Sequence, residues 1–159
     1  YTAKVAGTEL GVTEPQPSFS ACFGAAFLLL DPTVYSSLLI QKMKEQGSSA
    51  WLVNTGWIGG PVGVGHRIDI PATRAIIDAI HNGSLLEEDY ETLPFFNLRI
   101  PKSVKSVDPY LLNPRNNWQK PEDWDKAAMD LAQKFADNFT SFMDNEAAVR
   151  LAEVAGPRI

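Results

Sequence analysis

"AWLVNTGWIGGPVGVGHRIDIPATRAIIDAIHNG", residues 50–83, decides how the chain reads. An apolar stretch at 50–55, "AWLVNT", predicts a strand, because it is short, rich in large apolar residues and ends at a glycine. Gly60 and Gly65 follow at the G-x-x-x-x-G spacing of a phosphate loop. Such a loop needs Lys and then Ser or Thr at its next two positions, to reach phosphate oxygens and a metal ion. His66 and Arg67 stand there instead, and neither fills those roles. No helix opens after Gly65 either, because "RIDIP" intervenes. The dinucleotide pattern G-x-G-x-x-G fails as well: Gly63 and Gly65 form its first half, and Ile68 occupies the position of its third glycine. On residue chemistry the stretch is a hairpin-like, mobile connection ending in Arg67.

Downstream, "RIDI" at 67–70 predicts a short strand. A helix is predicted over 71–83, opened by Pro71 and closed by Asn82-Gly83, with Ile76, Ile77 and Ile80 on its inner face. Arg67 has binding potential, since a guanidinium stacks on a flat base or pairs with phosphate and the preceding glycines let a ligand approach closely. Ile68 would add an apolar wall. Thr73 places a hydroxyl at the helix opening, where a local cap is the commoner role.

The same punctuation marks other elements. Asp31 as N-cap, Pro32 in the first turn and Gly47 past the end predict a helix whose apolar face is Val34, Tyr35, Leu38, Leu39 and Met43. Residues 19–30 predict a buried strand or turn, and "LPFFNLRIP" at 93–101 a strand between prolines. From Pro121 to Met143, Trp124, Ala128, Leu131, Phe135, Phe139 and Phe142 recur at helical spacing, with Glu122 and Asp123 in the first turn. A short helix is predicted over 146–155. Residues 6–18, with two glycines and two prolines, read as a long surface loop. Alternating strands and helices make the chain α/β, with the topology of the sheet left open.

Composition narrows the function. The 159 residues are 45% hydrophobic and 21% charged, which fits one globular domain. A net charge of −5 argues against nucleic acid or an anionic membrane as partner. The apolar run at 23–30 is far below the ~20 residues that span a bilayer. A single cysteine, Cys22, excludes an internal disulfide and fits a reducing compartment. It reads as a packed small residue. His66 and His81 lack neighbours at metal-ligand spacing, no G-x-S-x-G elbow occurs, and the acidic run Glu87, Glu88, Asp89 and Glu91 reads as a solvated turn. The start at Tyr1 without Met suggests the middle of a longer polypeptide.

Five stretches carry a resemblance: "AGTE-GVTEPQPSFSACFGAAF", "AWLVNTGWIGG", "RIDIPATRAIIDAIHNG", "LPFFNLRIPKSV" and "LLNPRNNW". In this order and at these separations they resemble the C-terminal part of the ATP-dependent phosphoenolpyruvate carboxykinases. The ending "AGPRI" is also similar to that family's. The resemblance implies the C-terminal part of a mononucleotide-binding domain, with a mixed sheet and packed helices. It further implies an enzyme that converts oxaloacetate and ATP to phosphoenolpyruvate, CO2 and ADP in gluconeogenesis, in the cytoplasm, with Mg2+ and often Mn2+.

It implies that Arg67, Ile68 and Thr73 surround the adenine and ribose of ATP. Gly7, Thr8, Glu9, Gly11, Thr13 and Glu14, within residues 1–18, would belong to a mobile lid, with C-terminal helices over 121–155. The family's phosphate loop, metal ligands and oxaloacetate-binding arginines match nothing in this sequence. The segment is therefore expected to carry no catalytic or metal-binding residue, to need the remainder of its polypeptide as partner, and to be inactive alone. His66 departs from the family's usual Lys, and Val62 from its frequent Tyr. The alternative reading is a non-catalytic nucleotide-binding or interaction domain built on the same fold.

Overall fold

Capping chemistry fixes the helices before any packing does. In the computed structural model, which describes residues 2–4, 10–11, 13, 16–19, 24–61 and 63–159, the elements in chain order begin with β1 (Thr2–Lys4), β2 (Gln16–Ser18) and α1 (Pro32–Gln46). There follow β3 (Trp57–Ile58), β4 (His66–Arg67), α2 (Ile70–His81), β5 (Tyr90–Leu93), β6 (Leu98–Pro101), α3 (Pro121–Phe139) and α4 (Glu146–Val154). Short 3-10 turns lie between them. The chain divides into two units, residues 1–49 with 135–154 and residues 50–134 with 155–159.

In the first unit Lys4 pairs with Gln16 and Thr2 with Ser18, so the expected loop over 6–18 ends in a strand that meets its own start. Helix α1 carries the expected caps. Asp31 Oδ1 accepts the Thr33 amide at 2.8 Å and the Thr33 hydroxyl at 2.6 Å, bonds that hold its carboxyl below the usual carboxylate range. Gly47 closes the helix in the left-handed region at φ 61°. Burial differs from expectation. No residue of α1 is buried, and Val34, Leu38, Leu39 and Ile40 are all exposed. Phe27, Leu28, Leu29 and Leu30, expected inside, are exposed too. Nothing among the described residues covers that apolar stripe.

Asn145 caps α4 by accepting the Ala148 amide at 3.0 Å, and its own amide reaches Asp31 at 3.5 Å. Phe19 meets Phe135 edge to face with centroids 5.7 Å apart. Cys22 lies outside the described residues.

The second unit holds the larger core. One cluster joins Ala72 and Ala79 of α2 to Leu85, Val104 and Val107, with Trp51, Ile68, Ile76 and Ile80 packed around them. Ile76 and Ile80 thus face inward as expected. The second cluster is Leu93, Trp124 and Ala128, packed by Phe95, Phe96, Ile100 and Trp118. Arg115 grips Asp125 at the base of α3 through two parallel bonds of 2.7 and 2.8 Å. The hydrogen bonds to Arg115 hold the Asp125 carboxyl below its usual range.

Sheet structure departs most from the sequence reading. The described residues form three separate antiparallel pairs, β1-β2, β3-β4 and β5-β6, rather than a mixed sheet. Residues 50–55 pair with nothing described, and Leu52 is 88% exposed. A strand needs a partner for its backbone, and an apolar stretch alone does not supply one. The strand expected over 93–101 is a hairpin instead. Leu93 pairs with Leu98, and Phe95 and Asn97 take φ of 65° and 54° at its turn. Glu91 of the acidic run sits in β5, where it accepts from Asn113 at 2.8 Å. The long last helix stops at Phe139, four residues short of expectation, and a 3-10 turn follows over Thr140–Phe142.

The turn between β3 and β4 is tightly built. A Cβ on Gly65 would stand 2.3 Å from the Ile58 carbonyl oxygen and 2.5 Å from that of Gly60. Gly60 itself takes φ 148° and Gly63 φ 92°, in the region side chains rarely adopt. Replacing Gly65 by Ala forces backbone against backbone, and overpacking of that kind costs about 1–3 kcal/mol. Gly65→Ala is expected to lower the unfolding free energy by that amount, read as an earlier urea midpoint; an unchanged midpoint would show that the turn relaxes freely.

Candidate functional site

Arg67 ends the turn that Gly65 permits. In β4 it lies directly opposite Trp57, and His66 opposite Ile58. Ile58 is buried at 8% exposure, whereas Arg67 is exposed and Trp57 is 49% exposed. The turn is closed by backbone bonds from Val64 and Gly65 to the Pro61 carbonyl, at 3.0 and 2.9 Å. Val62 lies outside the described residues. Asn54 accepts the Gly56 amide at 3.1 Å, and the Gly56 carbonyl accepts from Ile68 at 3.0 Å. This last bond extends the ribbon just past Arg67.

Ile68 is half-buried against the first core cluster, so its side chain anchors the ribbon as well as flanking Arg67. The strand expected over 67–70 is cut short at Arg67. Asp69 turns out to be the N-cap of α2, and Ile70 its first residue. Asp69 Oδ1 accepts the Ala72 amide at 2.7 Å, while the Asp69 carbonyl accepts the amide and the hydroxyl of Thr73 at 3.1 and 2.9 Å. Thr73 therefore spends its proton locally, and its oxygen keeps acceptor capacity. Arg67 and Ile68 thus immediately precede the N-cap of α2 and Thr73 lies in its first turn, at the helix end that favours negative charge.

Two residues join the site that sequence reasoning missed. Asp69 stood inside the expected strand, although an Asp two residues before Pro71 is a recognisable helix start. Asn117 is the one buried polar residue among those described, at 6% exposure. Its amide donates to the Tyr110 and Asn113 carbonyls at 2.6 and 2.8 Å, leaving its Oδ1 without a donor. Its backbone carbonyl lies 3.3 Å from where a Cβ of Gly59 would be, with His66 Nδ1 at 3.9 Å from the same point. Glycine at 59 lets the turn rest on that corner. No sequence pattern signals a contact between segments this far apart.

Of the remaining residues singled out from sequence, Gly11 and Thr13 are exposed, and Gly7, Thr8, Glu9 and Glu14 lie outside the described residues. Among the described residues no three His, Cys, Asp or Glu side chains gather as metal ligands. No described helix is long and apolar enough to cross a membrane. Open grooves of about 400 Å3 beside Ser37, Ile40 and Lys44, and about 590 Å3 beside Asn145 and Arg150, belong to the first unit and hold none of these residues.

Residues 1–110 match the family model described as phosphoenolpyruvate carboxykinase, a stretch that includes the whole Arg67 ribbon and α2. The chain belongs to the phosphoenolpyruvate carboxykinase family. Among similar curated proteins are those named phosphoenolpyruvate carboxykinase (ATP) from Leptospira biflexa serovar Patoc, in the Ames and Paris lines of strain Patoc 1. Each is 53% identical over 143 residues, covering 90% of this chain and 27% of the relative. The chain thus spans about a quarter of the length of these relatives.

Asp69 caps α2 where the ribbon runs into it, so its removal reads out the local geometry. Asp69→Ala should cost about 1 kcal/mol of stability in denaturant unfolding, and Asp69→Asn only a fraction of that, because Asn caps equally well. Equal losses in both variants would mean that the capping bond is not what Asp69 contributes.

Proposed function

We propose that the chain is the C-terminal segment of the nucleotide-binding domain of an ATP-dependent phosphoenolpyruvate carboxykinase, and that it holds the base and ribose of ATP. The observation that carries this reading is the placement of Arg67 and Ile68 on a fixed ribbon that runs straight into the capped N-terminus of α2. The exposed guanidinium stacks on the base or meets a phosphate. Thr73 Oγ1 accepts from a ribose hydroxyl while keeping its own bond to Asp69. The reaction proposed is the one that the family resemblance implies: oxaloacetate is decarboxylated and phosphorylated to phosphoenolpyruvate at the expense of ATP, a step of gluconeogenesis in the cytoplasm.

Phosphoryl transfer depends on positioning and on neutralising phosphate charge with metal ions and cations. This segment contributes the positioning at the base end. Following the resemblance, the ligands of Mg2+ and Mn2+ and the groups that hold oxaloacetate are assigned to the rest of the polypeptide; among the described residues no three His, Cys, Asp or Glu side chains gather. That remainder also covers the apolar residues of α1 and Leu52 and Val53, which stand exposed here. The segment carrying Gly7, Thr8, Glu9, Gly11, Thr13 and Glu14 acts as a lid. Lys4 and Gln16, on either side of that segment, are paired, and a lid there would exclude water from the reacting phosphate.

Calorimetric titration of the complete carboxykinase with ATP tests the assignment of Arg67. Arg67→Ala should weaken ATP by on the order of 1 kcal/mol or more, about fivefold in Kd, because a charged hydrogen-bonding partner is lost. Equal affinity in the two proteins would remove Arg67 from the nucleotide site.

A further inference from the structure

Trp57 has an arrangement that its neighbours in the core do not share. Of the four tryptophans in the chain, Trp124 is buried, and Trp51 and Trp118 pack against the two core clusters. Trp57 is 49% exposed and sits on the ribbon itself, directly across from Arg67. Residues directly opposite in an antiparallel pair project from the same face, with their Cβ atoms about 4.5–5.5 Å apart. The indole and the guanidinium therefore stand side by side on one face. Ile58 and His66 take the other, where buried Ile58 ties the ribbon down.

Beyond their backbone pairing, the side chains of Trp57 and Arg67 make no hydrogen bond, ion pair or ring contact with any described residue. The contrast with Arg99 is instructive: its guanidinium lies over the Tyr90 ring at 4.7 Å, so that cation and ring satisfy each other. In the Trp57–Arg67 pair neither flat group has such a partner among the described residues. The turn beside them is closely packed, since a Cβ on Gly65 would stand 2.3 Å from the Ile58 carbonyl oxygen.

We infer that Trp57 is a base-stacking residue, whose indole face and the Arg67 guanidinium together receive the purine ring of the nucleotide. This rests on the assignment of Arg67 to the nucleotide site and adds to it a second, apolar contact. A purine offers two flat apolar faces, and stacking on an aromatic side chain is sequence-tolerant and strong enough to be measured. The indole supplies area and the guanidinium charge, so the pair grips base and phosphate-bearing end with different chemistry. Nothing covalent is involved; Trp57 is a binding residue and takes no part in bond making.

The test uses the complete carboxykinase, ATP as the probe, and three variants: Trp57→Phe, Trp57→Ala and Arg67→Ala. Tryptophan emission of the parent protein should be quenched as ATP saturates. In Trp57→Phe that quench should disappear while affinity stays within about threefold, since the phenyl ring still stacks. In Trp57→Ala affinity for ATP should fall about tenfold, with the KM for oxaloacetate unchanged. A quench of the same size in Trp57→Phe would overturn the inference, even if the alanine variant failed to fold. So would wild-type ATP affinity in Trp57→Ala alongside weakened binding in Arg67→Ala, a result that leaves the Arg67 assignment standing. Should Trp57→Ala lower the melting temperature alone, the indole is covered by another segment of the polypeptide and the inference fails.

Discussion

Everything at the candidate site depends on two backbones coming closer than a side chain allows. Gly65 has Ile58 and Gly60 carbonyl oxygens where its Cβ would be, and that contact closes the turn between β3 and β4. The closed turn sets the register that puts Arg67 opposite Trp57. It also fixes the direction in which the chain leaves Arg67, so that Ile68 reaches the core and Asp69 arrives in place to cap α2. The glycine spacing that imitates a phosphate loop thus has a structural cause. It makes a tight, pinned ribbon, and the residues proposed to hold the nucleotide, Trp57, Arg67, Ile68 and Thr73, flank that turn rather than forming it.

The two units illustrate how capping and burial are separate requirements. Helix α1 has a complete N-cap at Asp31 and a left-handed glycine at its end, yet none of its residues is buried. An isolated helix of that length is marginal in water, since most helical stability in proteins comes from packing an apolar face. Helix α2 has the same punctuation and also buries Ala72 and Ala79 against Leu85, Val104 and Val107. A chain that spans about a quarter of its relatives' length exposes such faces where the relatives have more polypeptide to set against them.

Those elements that local chemistry decides were legible in the sequence. Asp31 and Gly47 bound α1, Asn82 and Gly83 close α2, and the Trp124 stripe marks α3, because caps and helical periodicity act within a few residues. Strands were not legible in the same way. Residues 50–55 look like a strand by composition, and 93–101 look like one strand, but pairing depends on partners distant in the chain or absent from it. At the site, Arg67 and Ile68 stood out by residue chemistry and motif order. The buried Asn117 corner beneath Gly59 and the register between Trp57 and Arg67 are products of tertiary contact and leave no periodic trace.

The central claim is that the ribbon and the start of α2 form the wall against which the nucleotide base rests. Photolabelling the complete enzyme with 8-azido-ATP, with unlabelled ATP as competitor and peptide mapping of the product, tests it directly. The account predicts competed label within residues 57–73. Label that ATP competes away but that maps wholly outside this stretch would contradict it.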